Sequence, residues 1–211
     1  MAQFFRIHPD NPQPRLIKQA VEIINAGGIV ALPTDSSYAL ACHLDDRDAV
    51  DRLRRIRGLD ERQLLSLLVR DLSELANFAV VDNRQYRLLK AVTPGPYVFV
   101  LDASKEVPRR LSHPSRKTIG LRVPDHALTL ALLAELGQAL IASTLILPPD
   151  TEPLNEPEAI RERLEKVVDL VIDGGPCTGE PSTIIDLTGP EPVLVRRGRG
   201  RLAPFGLPDD D

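Results

Sequence analysis

From Pro14 to Ala26 the residues Leu16, Ile17, Ala20, Val21, Ile23 and Ile24 fall on one helical face, and that spacing predicts an amphipathic helix. Gly27-Gly28 closes it in the manner of a C-cap. Ile29 to Leu32 is a short apolar run bounded by Gly and Pro, the pattern of a buried strand. Asp46 to Arg57 predicts a second helix, with Ala49, Val50, Leu53 and Ile56 inward and arginines elsewhere. Leu64 to Val69 predicts a strand. Asp71 and Asp82 stand where caps of two further helices belong, the second running through Ala91. Tyr97 to Leu101 and Thr118 to Val123 predict strands. A helix follows, capped by Asp125, running to Leu136 and stopped by Gly137. Leu140 to Thr144 and Val168 to Ile172 predict strands either side of a charged helix from Pro157 to Lys166. Gly174, Gly175 and Gly179 mark a flexible loop. Ser182 to Leu187 and Val193 to Arg196 then predict two strands joined by a short turn. Helices and strands alternating in this way predict one α/β domain around a mixed sheet.

Composition narrows the class. The chain has 211 residues, 43% hydrophobic and 27% charged, which fits a soluble globular protein. No stretch approaches the ~20 apolar residues of a spanning helix, so no membrane association is expected, and MAQFFRIHPD lacks the apolar run of a secretory signal. Cys42 and Cys177 lie far apart without metal-ligand spacing. A reducing, cytoplasmic setting is the expectation. The net charge of −4 excludes a bulk polycation strategy toward nucleic acid. Yet 21 of the 26 basic residues are arginine. They cluster as Arg52, Arg54, Arg55, Arg57; as Arg109, Arg110, Arg116 with Lys117; and as Arg196, Arg197, Arg199, Arg201. Arginine offers a rigid fork to phosphate or carboxylate. Aromatics at 4%, with no Trp, supply little for stacking on bases.

Ligands of open α/β sheets sit beyond the carboxyl ends of strands. That rule selects the hydroxyl-rich loop Thr34-Asp35-Ser36-Ser37, which also reads as a plain turn. It selects Arg55-Ile56-Arg57 at a helix end, Ser143-Thr144, the Ser182 to Asp186 segment and Arg196-Arg197. Arg122 interrupts an apolar strand between Leu121 and Val123, as either a partnered core residue or an anion ligand. There is no GxxxxGK[ST], GxGxxG or GxSxG motif, and no histidine spacing for a metal. His126 is expected at the surface and Cys42 in the core. Catalysis in such a chain rests on positioning and arginine electrostatics.

In order along the chain stand GGIVALPTDSSYAL, RIRG, PGPYVFVL, KTIGLRVPDH, PSTIIDL and LVRRG. This series resembles the YrdC/YciO family, and FFRIHPDNPQ, KEVPRR and RLEKVVDLVIDGG are most similar to its YciO branch. The resemblance covers residues 12–202, implying one YrdC-like domain, and leaves 203–211 as a loosely ordered acidic tail. It implies a twisted mixed open sheet flanked by helices, with a concave positive cleft. It also implies an L-threonylcarbamoyladenylate synthase-like nucleotidyltransferase. Such an enzyme makes threonylcarbamoyl-AMP, or a related adenylate, from L-threonine, bicarbonate and ATP and releases pyrophosphate. ATP is a substrate that carries Mg2+, no protein residue is expected to ligate a metal, and the product serves threonylcarbamoyladenosine formation in tRNA. The same resemblance leaves an alternative, a non-catalytic module binding double-stranded RNA or tRNA.

Carried onto this chain, the resemblance places Ser36, Arg122 and Ser182 at threonine, Arg122 pairing two-pronged with its carboxylate. It places Arg55, Arg57, Thr118, Ser143 and Arg196 at the nucleotide, and assigns no covalent catalyst. The family's Ser-Thr-Ser-Ala-Asn run is Ala142-Ser143-Thr144-Leu145-Ile146 here; its KxR motif is Arg55-Ile56-Arg57, and Leu64 and Leu68 stand where a Pro and a His often follow it. These departures imply reduced turnover.

Overall fold

The structure, a computed structural model, describes residues 1–209 apart from positions 61, 62, 64, 109, 110, 114 and 116. Expectations for Leu64 and for Arg109, Arg110 and Arg116 therefore lie outside the described residues, as do positions 210 and 211 of the tail. The chain runs β1 (Gln3–Arg6), α1 (Pro14–Asn25), β2 (Val30–Leu32), β3 (Ala39–His43), α2 (Arg47–Arg57), β4 (Ser66–Leu68), α3 (Leu72–Phe78) and α4 (Asn83–Val92). It continues through β5 (Tyr97–Asp102), β6 (Thr118–Arg122), α5 (Ala127–Leu136), β7 (Leu140–Thr144), α6 (Pro157–Leu164), β8 (Leu170–Asp173), β9 (Thr183–Asp186) and β10 (Val193–Arg196). A 3-10 turn at Ala203–Phe205 follows.

The strands form one mixed open sheet in the order β1-β8-β2-β3-β7-β4-β6-β5-β9-β10. Strand alternation sorts its side chains to two faces. On one face Leu40, Leu67, Phe99, Leu121, Ile141 and Ile185 build the larger core with α2, α3, α4 and α6. On the other, α1 and α5 pack Ile17, Val21, Ile24, Leu128 and Leu132 onto Val30, Ala41, Leu140 and Leu170. These two helices cover only the part of that face near β8, β2, β3 and β7. The remainder, from the ends of β3 and β7 across β4, β6, β5 and β9, is left open as a cleft.

Local chemistry accounts for the helix ends. Asp46, Asp71 and Asp82 each accept a backbone N–H three residues on, and Asp82 forms a complete capping box with Gln85. Gly58 and Gly137 close α2 and α5 in left-handed conformation. No helix among the described residues is long and apolar enough to cross a membrane.

The structure also departs from the sequence pattern. β1 was not expected; it pairs parallel with β8 through Gln3–Leu170 to Arg6–Asp173, so the sheet begins before residue 12. β3 lacked a strand signature because its centre is Ala, Leu, Ala and Cys, yet it pairs with both β2 and β7. Asp125 does not cap α5, whose N-cap is His126 without a side-chain bond. The tail is held through residue 209. Phe205 is buried against Tyr97 and Phe99, and Asp209 accepts the Leu202 N–H at 2.7 Å.

Candidate functional site

Leu121 and Val123 face the larger core, so period-2 alternation turns Arg122 to the opposite face and into the cleft. Small side chains keep that floor low. Ala39, Ser66 and Ala142 line it. Gly120 lies beneath it, where an added Cβ would sit 3.2 Å from both Ser66 Oγ and Val98 Cγ1. The cleft has a cavity volume of about 220 Å³ and opens to solvent, somewhat below the ~300–1,000 Å³ of typical small-molecule sites.

Three arginines converge on it from separate elements: Arg57 at the last turn of α2, Arg122 at the end of β6 and Arg196 at the end of β10. Arg57 donates Nε to Ser143 Oγ at 3.1 Å. Arg196 donates to the Ser182 carbonyl at 2.8 and 3.2 Å and to Ser182 Oγ at 3.2 Å. Neither forms an ion pair among the described residues. Burial pushes both guanidinium groups below their ordinary range, and Arg122 adds to this at Arg196. Arg122 differs. Its Nη2 donates to Thr34 Oγ1 at 3.1 Å, to Ser36 Oγ at 2.9 Å and to Asp35 Oδ1. Of the two readings left open for a charge in an apolar strand, the structure shows the partnered one. Arg122 is ion-paired and it lines the cleft.

The structure thus brings Arg57, Arg122, Ser143, Ser182 and Arg196 together. It does not bring Ser36, Arg55 or Thr118 to the cleft wall. Ser36 is fully buried behind Arg122. Arg55 is exposed and bonds the Asp51 carbonyl, since two residues along a helix face nearly opposite directions. Thr118 starts β6, about 13 Å from Arg122 along the strand, and its Oγ1 is buried without a partner. Gln63 and Ser66 line the cleft without having been singled out; no local pattern marks them. Ile146 and Ala142 put hydrocarbon on the wall.

Behind Arg122, the strap Gly174 to Gly179 fixes the Thr34–Ser36 loop. Thr178 Oγ1 donates to the Ser36 carbonyl at 2.8 Å and Cys177 Sγ to the Thr34 carbonyl at 3.3 Å. Tyr38 donates its hydroxyl to Gly175 O at 2.9 Å, and burial raises its phenol far above the ordinary value. Burial likewise pushes the Cys177 thiol up to about 11, which leaves it protonated and unreactive at neutral pH. His126, expected at the surface, is largely packed away with Nδ1 buried and unpartnered. No cluster of metal-ligating side chains is present among the described residues. The groups on hand suit anion binding by positioned cations.

A family model of Sua5, YciO and YrdC proteins, described as "Telomere recombination", matches residues 22–198. YciO of Escherichia coli (strain K12) is 51% identical over 205 residues, spanning 97% of this chain and 100% of the relative. The crystal structure of E. coli YciO superposes with a TM-score of 0.94, covering 97% of this chain and 100% of that one. A threonylcarbamoyl-AMP synthase of Halorhodospira halophila is 32% identical over 79% of this chain and 86% of the relative. The crystal structure of P. abyssi Sua5 complexed with L-threonine gives a TM-score of 0.85 at 27% identity, over 92% of this chain and 57% of that one.

Proposed function

The chain belongs to the Sua5/YciO/YrdC family, and from that premise we propose that its cleft binds ATP beside a carboxylate substrate and joins them as an adenylate. The product is threonylcarbamoyl-AMP, from L-threonine and bicarbonate, or a related acyl adenylate. A carboxylate oxygen of the N-carboxylated amino acid attacks the α-phosphorus, the bond to the β-phosphate oxygen breaks, and pyrophosphate leaves.

The observation that carries this reading is the charge imbalance of the cleft. Arg57, Arg122 and Arg196 line it, and only Arg122 has a carboxylate partner among the described residues. Two partly desolvated cations without counter-ions among the described residues call for a polyanion, which a triphosphate supplies. Arg122 anchors the substrate carboxylate, and Mg2+ enters with the nucleotide. Related proteins named threonylcarbamoyl-AMP synthase, and a Sua5 crystallised with L-threonine, support the choice of substrate class.

Calorimetric titration with Mg-ATP tests the nucleotide half. The wild type binds, and Arg196→Ala weakens binding by about tenfold or more, the worth of one charge-assisted contact. No heat of binding at millimolar Mg-ATP removes the reading.

A further inference from the structure

Resting on Arg122 as the carboxylate anchor, we infer that Asp35 sets the specificity of that subsite, as an internal carboxylate that competes with the ligand's for the same guanidinium. The hydrogen bonds of Arg122 are unevenly spread. Nη2 takes all three acceptors, from Thr34, Asp35 and Ser36. Nε is buried with no partner. Nη1 makes no hydrogen bond among the described residues and is not among the buried unpartnered atoms, so in a residue that lines the cleft it is the nitrogen left for a ligand.

A ligand carboxylate needs two adjacent nitrogens for a two-pronged pair, and Asp35 occupies one. The pair with Asp35 is itself one-pronged, since Oδ2 is buried and unpartnered. With Asp35 and Arg122 side chains only 10% and 7% exposed, their charges cancel inside the wall. The empty carboxylate subsite is therefore near neutral, whereas the Arg57 and Arg196 side keeps its positive charge. A lone carboxylate is held weakly, by Nη1 unless it displaces Asp35, and a nucleotide binds without reference to Asp35.

The test is calorimetry of the full chain with L-threonine and, separately, Mg-ATP, on wild type, Asp35→Asn and Arg122→Gln. Asp35→Asn is expected to tighten L-threonine by about tenfold, one charge-assisted contact, and to leave Mg-ATP affinity unchanged. A merely structural Asp35 weakens both ligands or neither. Unchanged, weakened or undetectable L-threonine binding in folded Asp35→Asn overturns the inference. Arg122→Gln separates the two levels. If it abolishes wild-type L-threonine binding, the carboxylate anchor stands even where Asp35 fails; if it leaves that binding intact, both fall. Should Asp35→Asn unfold through its uncompensated buried cation, L-threonine must refold it, and Asp35→Asn combined with Arg122→Gln must fold without ligand. Failure of either result counts against the competition.

Discussion

Arg57 donates its Nε hydrogen to Ser143 Oγ over 3.1 Å, tying the last turn of α2 to the end of β7. The terminal nitrogens of Arg57 remain free of hydrogen bonds among the described residues, on a side chain that burial has already partly stripped of water. Arg57→Ala is expected to cost Mg-ATP about tenfold or more in affinity, from the loss of a contact worth roughly 1.5–3 kcal/mol. Arg57→Lys restores only part, because an ammonium lacks the planar fork. Titration calorimetry reads both, and equal affinity in Arg57→Ala and wild type contradicts the role.

His126 gives a pH signature. Burial lowers its imidazole below the ordinary range, and Arg122 adds to this while Asp35, Asp10 and Asp125 oppose it. The folded protein therefore binds fewer protons here than the unfolded chain, whose histidine titrates near ~6.5. Stability from this group is intact above that pH and is lost as pH falls toward the depressed folded value. His126→Gln should flatten the fall in urea midpoint between pH 7.5 and pH 5. An identical pH dependence in the variant contradicts this.

Phe205 lies 6% exposed, its ring centroid 5.5 Å from Tyr97 and 6.2 Å from Phe99. Phe205→Ala should destabilise the fold by about 3 kcal/mol, the low end for emptying a buried aromatic site. Denaturant unfolding measures it. A loss below about 1 kcal/mol would mean the tail relaxes freely into the gap.

Much of this was legible in the sequence, for identifiable reasons. Strands with β-branched or long aliphatic runs, such as Tyr97 to Leu101 and Thr118 to Val123, announce themselves because each side chain packs against a neighbour. β3 does not, because Ala39 and Ala41 are small where α1 and α5 press close. β1 does not, because Gln-Phe-Phe-Arg shows no period-2 alternation and its partner β8 comes far later in the chain. Arg122 was legible as an exception but not as a choice. The partner that decides it, Asp35, lies 87 residues away, a distance at which no local pattern operates. Arg55 and Arg57 look equivalent in a motif, and only helical phase separates them.

The hydrocarbon in the cleft lining carries its own prediction. Ala142 and Ile146 line the cleft where the family run has serine and asparagine. A polar group aimed at developing charge is worth about a hundredfold to a thousandfold in rate, and neither side chain supplies one. Ala142→Ser with Ile146→Asn is expected to raise adenylate formation while changing Mg-ATP affinity little. No gain in a folded double variant that still binds Mg-ATP contradicts the assignment.

Pyrophosphate release bears most directly on adenylate formation in this cleft. With Mg-ATP, L-threonine and bicarbonate together, wild type should release pyrophosphate slowly but above the rate with any one component omitted, and Arg122→Gln should abolish that excess. Release that is absent in the complete mixture, or indifferent to L-threonine and to Arg122, would contradict it.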